Sequence, residues 1–255
     1  MRIAALITAR LGSTRLTRKH LLPVAGKPIL QYLVDAICRE FQQEIGTGDF
    51  LVVIATSVQP ENRDLLKVMR DCEVFFGSDS NIPLRHIQAA RHFGASAVIS
   101  IDGDDILCSP RAMRAVYKAL EEGAAYSGTT GLPLGMNAMG YTTAALDKSL
   151  AGLGDETILE TGWGRVFEDI PKQMETFESL AHDKLRFTLD YSEDYDFFRI
   201  LLEIPEVATG RADDSRVVQI VLDEGLDRIT QPIVETYWQN FHANMAKEEK
   251  GESNP

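Results

Sequence analysis

The sequence predicts an α/β fold in which a mostly parallel β-sheet carries helices on both faces. Within about 120 residues, apolar runs of strand length alternate four times with segments of helical periodicity, the order expected of a doubly wound sheet. The first run, residues 3–8, is almost continuously apolar, as in a strand that is buried on both faces. After about Ala124 the alternation stops, and a stretch rich in glycine, threonine and proline follows.

Local signals set the expected bounds of each element. We predict strands at 3–8, 50–55, 73–76 and 97–101, and helices at 28–43, 60–70, 83–93 and 110–122. Pro28 suits a first helical turn, Gly94 suits a helix end, and Ser109 before Pro110 suits a helix start. Further along we predict short helices within 143–185, a strand at 185–189, and helices near 192–203, 213–224 and 231–246.

Length and composition favour one folded domain. The 255 residues are 44% hydrophobic and 25% charged, which excludes disordered and collagen-like classes, and no apolar run reaches the roughly 20 residues of a membrane-spanning helix. We expect a single domain at 1–246, with a substrate or dimerisation region at about 125–180, and a flexible polar tail at 247–255. Basic residues follow the first apolar run at once, without a clear cleavage site, so a cytoplasmic protein is expected.

The charge distribution indicates a small anionic ligand. The net charge of −12 argues against nucleic acid as a partner, because a phosphate polymer favours a positive footprint. Residues 1–34, however, carry a charge of +6 and the remaining residues a charge of −18. The six cations of that amino-terminal segment are Arg2, Arg10, Arg15, Arg18, Lys19 and Lys27.

A long basic loop follows the first predicted strand, where α/β sheets bind their ligands. It has neither the glycine spacing of a dinucleotide-binding loop nor that of a Walker A loop. The run Gly12-Ser13-Thr14 can bring backbone N–H groups close to phosphate oxygens. Arg10, Arg15 and Lys19 can neutralise a triphosphate. The alternative is an ordinary solvated loop.

Two aspartates follow predicted strands and can meet at the same sheet edge, although 86 positions separate them. They are Asp104 and Asp190, and Mg²⁺ is usually held by one or two carboxylates together with phosphate oxygens and water. Asp102 or Asp105 can replace Asp104 in this role, and Asp190 can instead cap the helix that begins near Ser192.

The basic loop also resembles a known motif. The run A-R-L-G-S-T-R-L-x-x-K-x-L-x-P-x-x-G-K-P that begins at Ala9 is similar to the opening motif of cytidylyltransferases that make CMP-activated acidic sugars. That family includes CMP-Kdo and CMP-sialic acid synthetases, and the resemblance is greatest to its spore coat polysaccharide branch. It continues, in order, through 53–57, 76–78, 102–104 and 189–194.

This resemblance implies a fold, a reaction and a set of site residues. The fold is the three-layer, Rossmann-like sheet of nucleotide-diphospho-sugar transferases, and the reaction joins CTP to an acidic sugar, with Mg²⁺, in a homodimer. Arg10, Lys19 and Asp104 match catalytic positions, and Asp104 and Asp190 match metal positions. The matching nucleotide-binding positions are Ala9, Arg10, Gly12, Ser13, Arg15, Lys19, Ala55, Thr56, Ser78 and Arg85.

The chain departs from the family pattern at three places. Thr17-Arg18 replaces a usual Pro-Gly, so the loop can differ in shape and Arg18 can take over a phosphate contact. Asp105-Ile106 adds a carboxylate beside the expected metal site. Asn137 lies where relatives often carry an acidic residue, which implies a different contact to the sugar. In the variable segment, Arg165 can bind the substrate carboxylate or lie in a dimer contact.

Two other functions are compatible with the same loop. One is a nucleotidyltransferase that uses another nucleoside triphosphate or a sugar 1-phosphate acceptor. The other is a nucleotide-binding relative without catalytic activity, which the Thr17-Arg18 and Asp105-Ile106 departures leave open.

Overall fold

The computed structural model describes residues 1–177, 180, 182 and 184–251. The strands are β1 (Ile3–Thr8), β2 (Pro23–Val24), β3 (Lys27–Pro28), β4 (Phe50–Ser57), β5 (Glu73–Gly77), β6 (Ala97–Asp102), β7 (Tyr126–Thr130), β8 (Met139–Thr142) and β9 (Lys172–Thr176). The helices are α1 (Ile29–Glu40), α2 (Gln42–Thr47), α3 (Leu65–Val68), α4 (Ile82–Phe93), α5 (Pro110–Glu121), α6 (Thr143–Leu150), α7 (Ser192–Leu201), α8 (Pro205–Ala208), α9 (Asp214–Asp223), α10 (Asp227–Thr230) and α11 (Val234–Glu248).

Seven of these strands form one sheet in the order β5-β4-β1-β6-β8-β7-β9. The first four run parallel, β8 is antiparallel to both of its neighbours, and β7 and β9 are parallel. Thr8 at the end of β1 lies opposite both Ala55 of β4 and Asp102 of β6. The carboxyl ends of the three central strands therefore lie level, and the loops that follow them converge at one edge.

The sheet is covered on both faces, which explains the apolar run of β1. Ala5 and Ile7 belong to an apolar cluster with α1 and α5, whereas Ala4 and Leu6 belong to a second cluster with α4 and α6. All four side chains are fully buried, and burying one aliphatic side chain contributes about 1.5–3 kcal/mol. The predicted three-layer, mostly parallel α/β fold is confirmed.

Two predicted elements differ in kind from the structure. The helix predicted at 60–70 is a 3₁₀ turn, Pro60–Asp64, followed by the single turn of α3. The segment predicted as a strand at 185–189 is extended but forms only an isolated bridge between Leu134 and Arg186. Its backbone bonds to loops, because Phe187 N–H donates to Leu134 O and Leu189 N–H donates to Asp104 O.

The region at about 125–180 is more regular than its composition predicts. It supplies β7, β8, α6, the 3₁₀ turn Trp163–Phe167 and β9 to the main sheet and one of its faces. Its role in substrate binding or dimerisation stays a prediction. The last helix, α11, continues to Glu248, two residues beyond its predicted end. Among the residues that the structure describes, no helix is long and apolar enough to cross a membrane.

Gly135 allows the loop after β7 to approach the 185–189 segment, and this gives a test of the packing. Its φ is +87°, and a Cβ there would lie 2.3 Å from Phe187 O, whereas Gly152 has φ +90° and open space around the same position. We expect Gly152→Ala to lower the free energy of unfolding by about 1–2 kcal/mol through backbone strain. Gly135→Ala should cost a further 1–3 kcal/mol or so through overlap. Urea unfolding followed by circular dichroism measures both, and equal losses would contradict the packing described.

Candidate active site

A cleft opens at the carboxyl edge of the sheet and has two adjoining lobes. The larger lobe has a volume of about 470 Å³ and the smaller lobe about 200 Å³. Asp102, the last residue of β6, and Asp104, just beyond the strand, line both lobes, as does Arg15 of the basic loop. The site thus lies where the level strand ends and the position of the basic loop predict a ligand site.

Lys19 lies between the two predicted metal aspartates. Its Nζ donates to Asp104 Oδ2 at 2.6 Å and to Asp190 Oδ1 at 3.2 Å, and only 6% of the residue is exposed. Burial alone would lower the pKa of Lys19, but the charges of Asp104 and Asp190 outweigh it and raise that pKa above its ordinary value. The ammonium therefore stays charged and joins two carboxylates that are 86 positions apart.

Asp104 is held as a carboxylate by two neighbours. Its Oδ1 lies 2.9 Å from Nε2 of His20, and its Oδ2 accepts from Lys19. Burial opposes ionisation here, yet Lys19 and His20 together hold the pKa of Asp104 well below its ordinary value. Nδ1 of His20 lies 2.9 Å from Arg10 O, so His20 connects the start of the basic loop to this carboxylate.

Asp190 is surrounded by cationic donors and does not cap the helix that follows it. Its Oδ1 accepts from Arg15 at 2.9 Å as well as from Lys19, and its Oδ2 accepts from the buried Arg186 at 3.0 Å. Asp194 instead reaches back to accept the N–H groups of Asp190 and Tyr191 at 2.8 and 2.9 Å. The Asp190 carboxylate therefore faces the cleft rather than the helix.

The basic loop is anchored at its base and lines the larger lobe along its length. Asn62, which is buried, accepts the N–H of Leu11 at 2.8 Å. Gly12 and Ser13 line the lobe as predicted, together with Arg10, Arg15 and Lys19. Arg10 donates to Glu160 across the lobe at 2.6 Å. Three loop cations thus line a space that suits a triphosphate.

Arg85 reaches the same lobe from α4. Its guanidinium donates to Ser78 O and Asp79 O, both at 2.7 Å, which fixes the loop after β5. Burial, with a smaller contribution from the charge of Arg10, lowers the pKa of Arg85 to about 10. Arg85 therefore remains a cation at neutral pH although it is almost fully buried.

Gly103 is required by the close packing beneath the carboxylates. A Cβ at this position would lie 2.8 Å from Thr8 O, 2.9 Å from Cβ of Ala9 and 3.1 Å from Nε2 of His20. Any side chain here would push the Asp104 loop away from His20. The glycine thereby fixes the distance between the carboxylate and the basic loop.

Other predicted residues lie outside the cleft lining. Ala55 and Thr56 are buried in β4 and Ala9 is buried just after β1. Ser78 contributes its backbone oxygen to Arg85. Asn137 donates to Leu132 O. Their assigned roles stay predictions.

Two arginines that the sequence placed near substrate also make contacts elsewhere. Arg165 donates to Thr161 O at 2.6 Å and lies 3.6 Å from Glu248. Arg18, in the left-handed conformation with φ 52°, pairs with Asp64 at 2.8 Å on the surface. Asp105, in contrast, lines the smaller lobe, next to the predicted metal carboxylates.

Sequence reasoning missed a whole wall of the cleft, which α11 provides. Tyr237, Asn240, Phe241, Asn244 and Lys247 of this helix line one or both lobes. Their spacing of three and four residues is visible in the sequence, but such a stripe ordinarily indicates core packing. His20 and Glu160 were also missed because single residues in loops give no periodic signal.

A buried hydrogen-bonded chain lies under the larger lobe. Oγ1 of Thr8, which lines the lobe, is 2.8 Å from Nε2 of His86, and Nδ1 of His86 is 2.7 Å from Tyr141 Oη. Burial, with the nearby charge of Arg85, lowers the pKa of His86 to about 3. The neutral imidazole therefore orients the Thr8 hydroxyl at the floor of the cleft.

The carboxylates fit a divalent cation by their chemistry. Mg²⁺ prefers oxygen ligands and is commonly held by one or two carboxylates with phosphate oxygens. Asp104 and Asp190 already share the Lys19 ammonium, which shows that a positive centre is stabilised between them. Among the residues described, no three His, Cys, Asp or Glu side chains converge on a possible metal position. A cation between Asp104 and Asp190 would therefore take its remaining ligands from phosphate oxygens and water.

Comparisons with known proteins agree with this description. A family model for cytidylyltransferases matches residues 4–194. An uncharacterized protein of Methanocaldococcus jannaschii is 24% identical over 80% of this chain and 83% of its own length. The spore coat polysaccharide biosynthesis protein SpsF of Bacillus subtilis is 30% identical over 52% of this chain and 56% of its own. A 3-deoxy-manno-octulosonate cytidylyltransferase of Aeromonas salmonicida is 28% identical over 52% of each chain, so this chain spans about half of the latter two relatives.

Solved structures show the same fold. A cytidylyltransferase from Leptospira borgpetersenii has a TM-score of 0.77 at 18% identity and covers 91% of this chain and 97% of its own. A CMP:2-keto-3-deoxy-manno-octonic acid synthetase complexed with CTP has a TM-score of 0.59 at 14% identity, over 80% of this chain and 99% of its own.

The parallel sheet and the cationic cleft at its carboxyl edge define a nucleotidyltransferase. Because the family model covers most of the chain, the protein belongs to the cytidylyltransferase family. The resemblance, the fold class and the enzyme class that the sequence predicts are thereby confirmed.

The buried histidine gives a pH-dependent prediction. In the unfolded chain His86 binds a proton below its ordinary pKa of 6.5, whereas the folded protein resists protonation until pH 3 or so. Folding stability should therefore fall as the pH falls from 6.5 towards 3. In His86→Gln, the slope of unfolding free energy against pH in this window should be smaller by about 1.4 kcal/mol per pH unit. Urea titrations at several pH values measure it, and parallel curves would contradict the buried neutral state.

Proposed function

We propose that this protein transfers the cytidylyl group of CTP to an acidic sugar and releases pyrophosphate. The anomeric hydroxyl oxygen of a 3-deoxy-2-ulosonic or nonulosonic acid would form a bond to the α-phosphorus while the bond to the β-phosphate oxygen breaks. The hydroxyl proton leaves to solvent, and the product is a CMP-sugar for surface polysaccharide or glycoconjugate synthesis. The names of the Aeromonas and Bacillus relatives support this choice of acceptor and product.

The observation that carries the proposal is the division of charge within the cleft. Cations line the larger lobe, and the carboxylates of Asp102 and Asp104 lie where it joins the smaller one. Nucleotidyl transfer depends mainly on positioning and on stabilising the charge that develops on phosphate oxygens. A triphosphate in the larger lobe would place its α-phosphate near that junction, within reach of an acceptor in the smaller lobe.

Arg10 and Lys19 have different roles in this arrangement. Arg10 is close to half exposed and pairs with Glu160, so its guanidinium can exchange that carboxylate for a phosphate group. Lys19 already donates two of its three N–H bonds to Asp104 and Asp190. Its remaining N–H can meet the leaving pyrophosphate, while the other two hold the carboxylates in place.

Mg²⁺ is the proposed cofactor, with Asp104 and Asp190 as its protein ligands. When bound it would neutralise the phosphates, and the remaining ligands would be phosphate oxygens and water. Arg15 and Arg186, which bond to Asp190, hold that side chain in place for this role.

Two further parts of the proposal concern the whole protein. We propose a homodimer in which residues at about 125–180 contribute to the contact, and a cytoplasmic location. Light scattering of the purified protein tests the dimer, and cell fractionation tests the location.

Substitution of the central lysine tests the catalytic assignment. Lys19→Ala and Asp104→Asn should each lower pyrophosphate release by at least about 10²-fold, because each removes an electrostatic contact at the reacting phosphates. The matched control is Arg18→Ala, since Arg18 belongs to the same loop but pairs with Asp64 on the surface. Thermal melts confirm that each variant folds. Wild-type rates in either site variant, or an equal loss in the control, would contradict the assignment.

The choice of substrates is tested with the wild-type enzyme. Pyrophosphate release is measured with CTP, UTP, GTP and ATP against a panel of ulosonic and nonulosonic acids and sugar 1-phosphates. Turnover only with CTP and an acidic sugar is expected. Turnover with another nucleotide or with a sugar 1-phosphate would identify a different transferase, and CTP binding without release under any acceptor would indicate a non-catalytic protein.

Removal of the metal gives a separate prediction. Addition of EDTA should abolish pyrophosphate release, and Mg²⁺ should restore it. In Asp104→Asn, the Mg²⁺ concentration that gives half of the CTP-induced thermal shift should rise about tenfold or more. The reason is that loss of a carboxylate at a metal site lowers metal affinity on this scale. An unchanged Mg²⁺ requirement in this variant would remove Asp104 from the metal site.

A further inference from the structure

The carboxyl-terminal helix α11 forms one side of the cleft, although it lies outside the matched family region. That match ends at residue 194, whereas α11 spans Val234–Glu248. Five of its side chains line the two lobes. The wall that they form thus lies beyond the matched family region.

Core packing does not explain the position of α11. Within Val234–Glu248, all of which the structure describes, the only buried residue is Glu248. Its carboxylate accepts the backbone N–H groups of Glu160 and Thr161 at 3.1 and 2.8 Å. A surface helix is normally held by a buried apolar stripe, and here polar contacts take that place.

The first half of α11 is held by residues that surround Asp190. The ring of Tyr237 lies over the guanidinium of Arg186 at 4.1 Å from the ring centroid, and Arg186 bonds to Asp190. Asn240 donates to Tyr191 Oη at 2.8 Å. The helix is therefore positioned by the same side chains that position the predicted metal carboxylate.

The inward side chains of α11 divide between the lobes. Asn240 and Lys247 line only the larger lobe, Tyr237 and Phe241 line only the smaller one, and Asn244 lines both. Because residues three and four apart share one face of a helix, this single stripe extends over both parts of the cleft. One helix can thus contact both substrates of a transfer reaction.

The smaller lobe has the composition of a sugar site. Its lining includes the carboxyl groups of Asp102, Asp104, Asp105 and Asp190, which can accept hydrogen bonds from sugar hydroxyls. The lining also includes the rings of Tyr237 and Phe241 and the amide of Asn244. A sugar ring has apolar C–H faces and hydroxyl edges, and pockets that combine apolar walls with a few polar groups recognise such ligands. Arg15, which also bonds to Asp190, lines this lobe and can meet an acidic group on the same sugar.

We propose that α11 is a lid over the acceptor site, and that Phe241 contacts the acceptor sugar and determines which sugar is used. This inference rests on the proposed transfer from CTP, because it assigns the larger lobe to the nucleotide and the smaller lobe to the acceptor. Asn244 lies at the junction and contacts the sugar close to the reacting phosphate.

The test compares two aromatic residues of the same helix. Phe241→Ala should raise KM for the acceptor at least about tenfold while KM for CTP changes less than twofold, since one lost apolar contact changes discrimination on this scale. Trp238→Ala is the matched control, because Trp238 is 41% exposed and does not line either lobe, and both KM values should stay within twofold. Asn240→Ala is the reciprocal variant and should raise KM for CTP more than KM for the acceptor.

Thermal melts with the same sugars, with and without CTP, give a second readout that does not depend on turnover. The sugar-induced shift of the wild type should be lost in Phe241→Ala and kept in Trp238→Ala. Equal changes in both KM values for Phe241→Ala, or an equal effect of Trp238→Ala, would overturn the lid assignment. Absence of turnover from CTP would overturn only the proposed function if sugars still stabilise the protein, and a wild type that no sugar stabilises or converts would overturn both.

Discussion

The contact on which the site depends is the buried Lys19 ammonium between Asp104 and Asp190. Two carboxylates brought together without a cation would repel one another at low solvent exposure, and one of them would take up a proton. Lys19 prevents this, and its own charge is retained because the same carboxylates outweigh the effect of burial on its pKa. Its position follows from the short 3₁₀ turn Lys19–Leu21 and from Gly103, which lets that turn approach the end of β6.

Further charged side chains around this contact hold the two carboxylates in place. Arg15 and Arg186 hold Asp190, and Asp194 fixes the backbone on which Asp190 lies. His20 connects Asp104 to the first residues of the basic loop. Asp104 is therefore held by the basic loop, and Asp190 both by that loop and by residues close to it in sequence. A site of this kind tolerates little movement of the sheet, because every element supplies a partner to another.

The sequence predicted the parts that depend on local pattern and on general rules for parallel sheets. The apolar residues 3–8 identified the central strand, and the rule that strand ends share an edge brought Asp104 and Asp190 together. The prediction of a strand at 185–189 was wrong, because a short apolar run does not reveal whether its backbone partners are strands or loops. The sequence predicted the helix near 231–246 but missed its place in the cleft, since the spacing of Tyr237, Phe241 and Asn244 indicates that they share one face but not that this face lines a ligand site. Ala55 and Thr56 were predicted to contact the nucleotide because they match family positions, yet both are buried and do not line the cleft.

The parts of the cleft differ in how firmly the fold holds them. Its floor is built on β1, β4 and β6, whose side chains are buried on both faces of the sheet, whereas α11 is held by a few polar contacts and none of its apolar side chains is fully buried. Local opening costs least where little apolar surface is buried. Amide hydrogens of α11 should therefore exchange with solvent deuterium through small local openings, while those of β1 exchange only when the whole domain unfolds. One binding site thus combines a floor that opens only with the whole domain and a wall that opens locally.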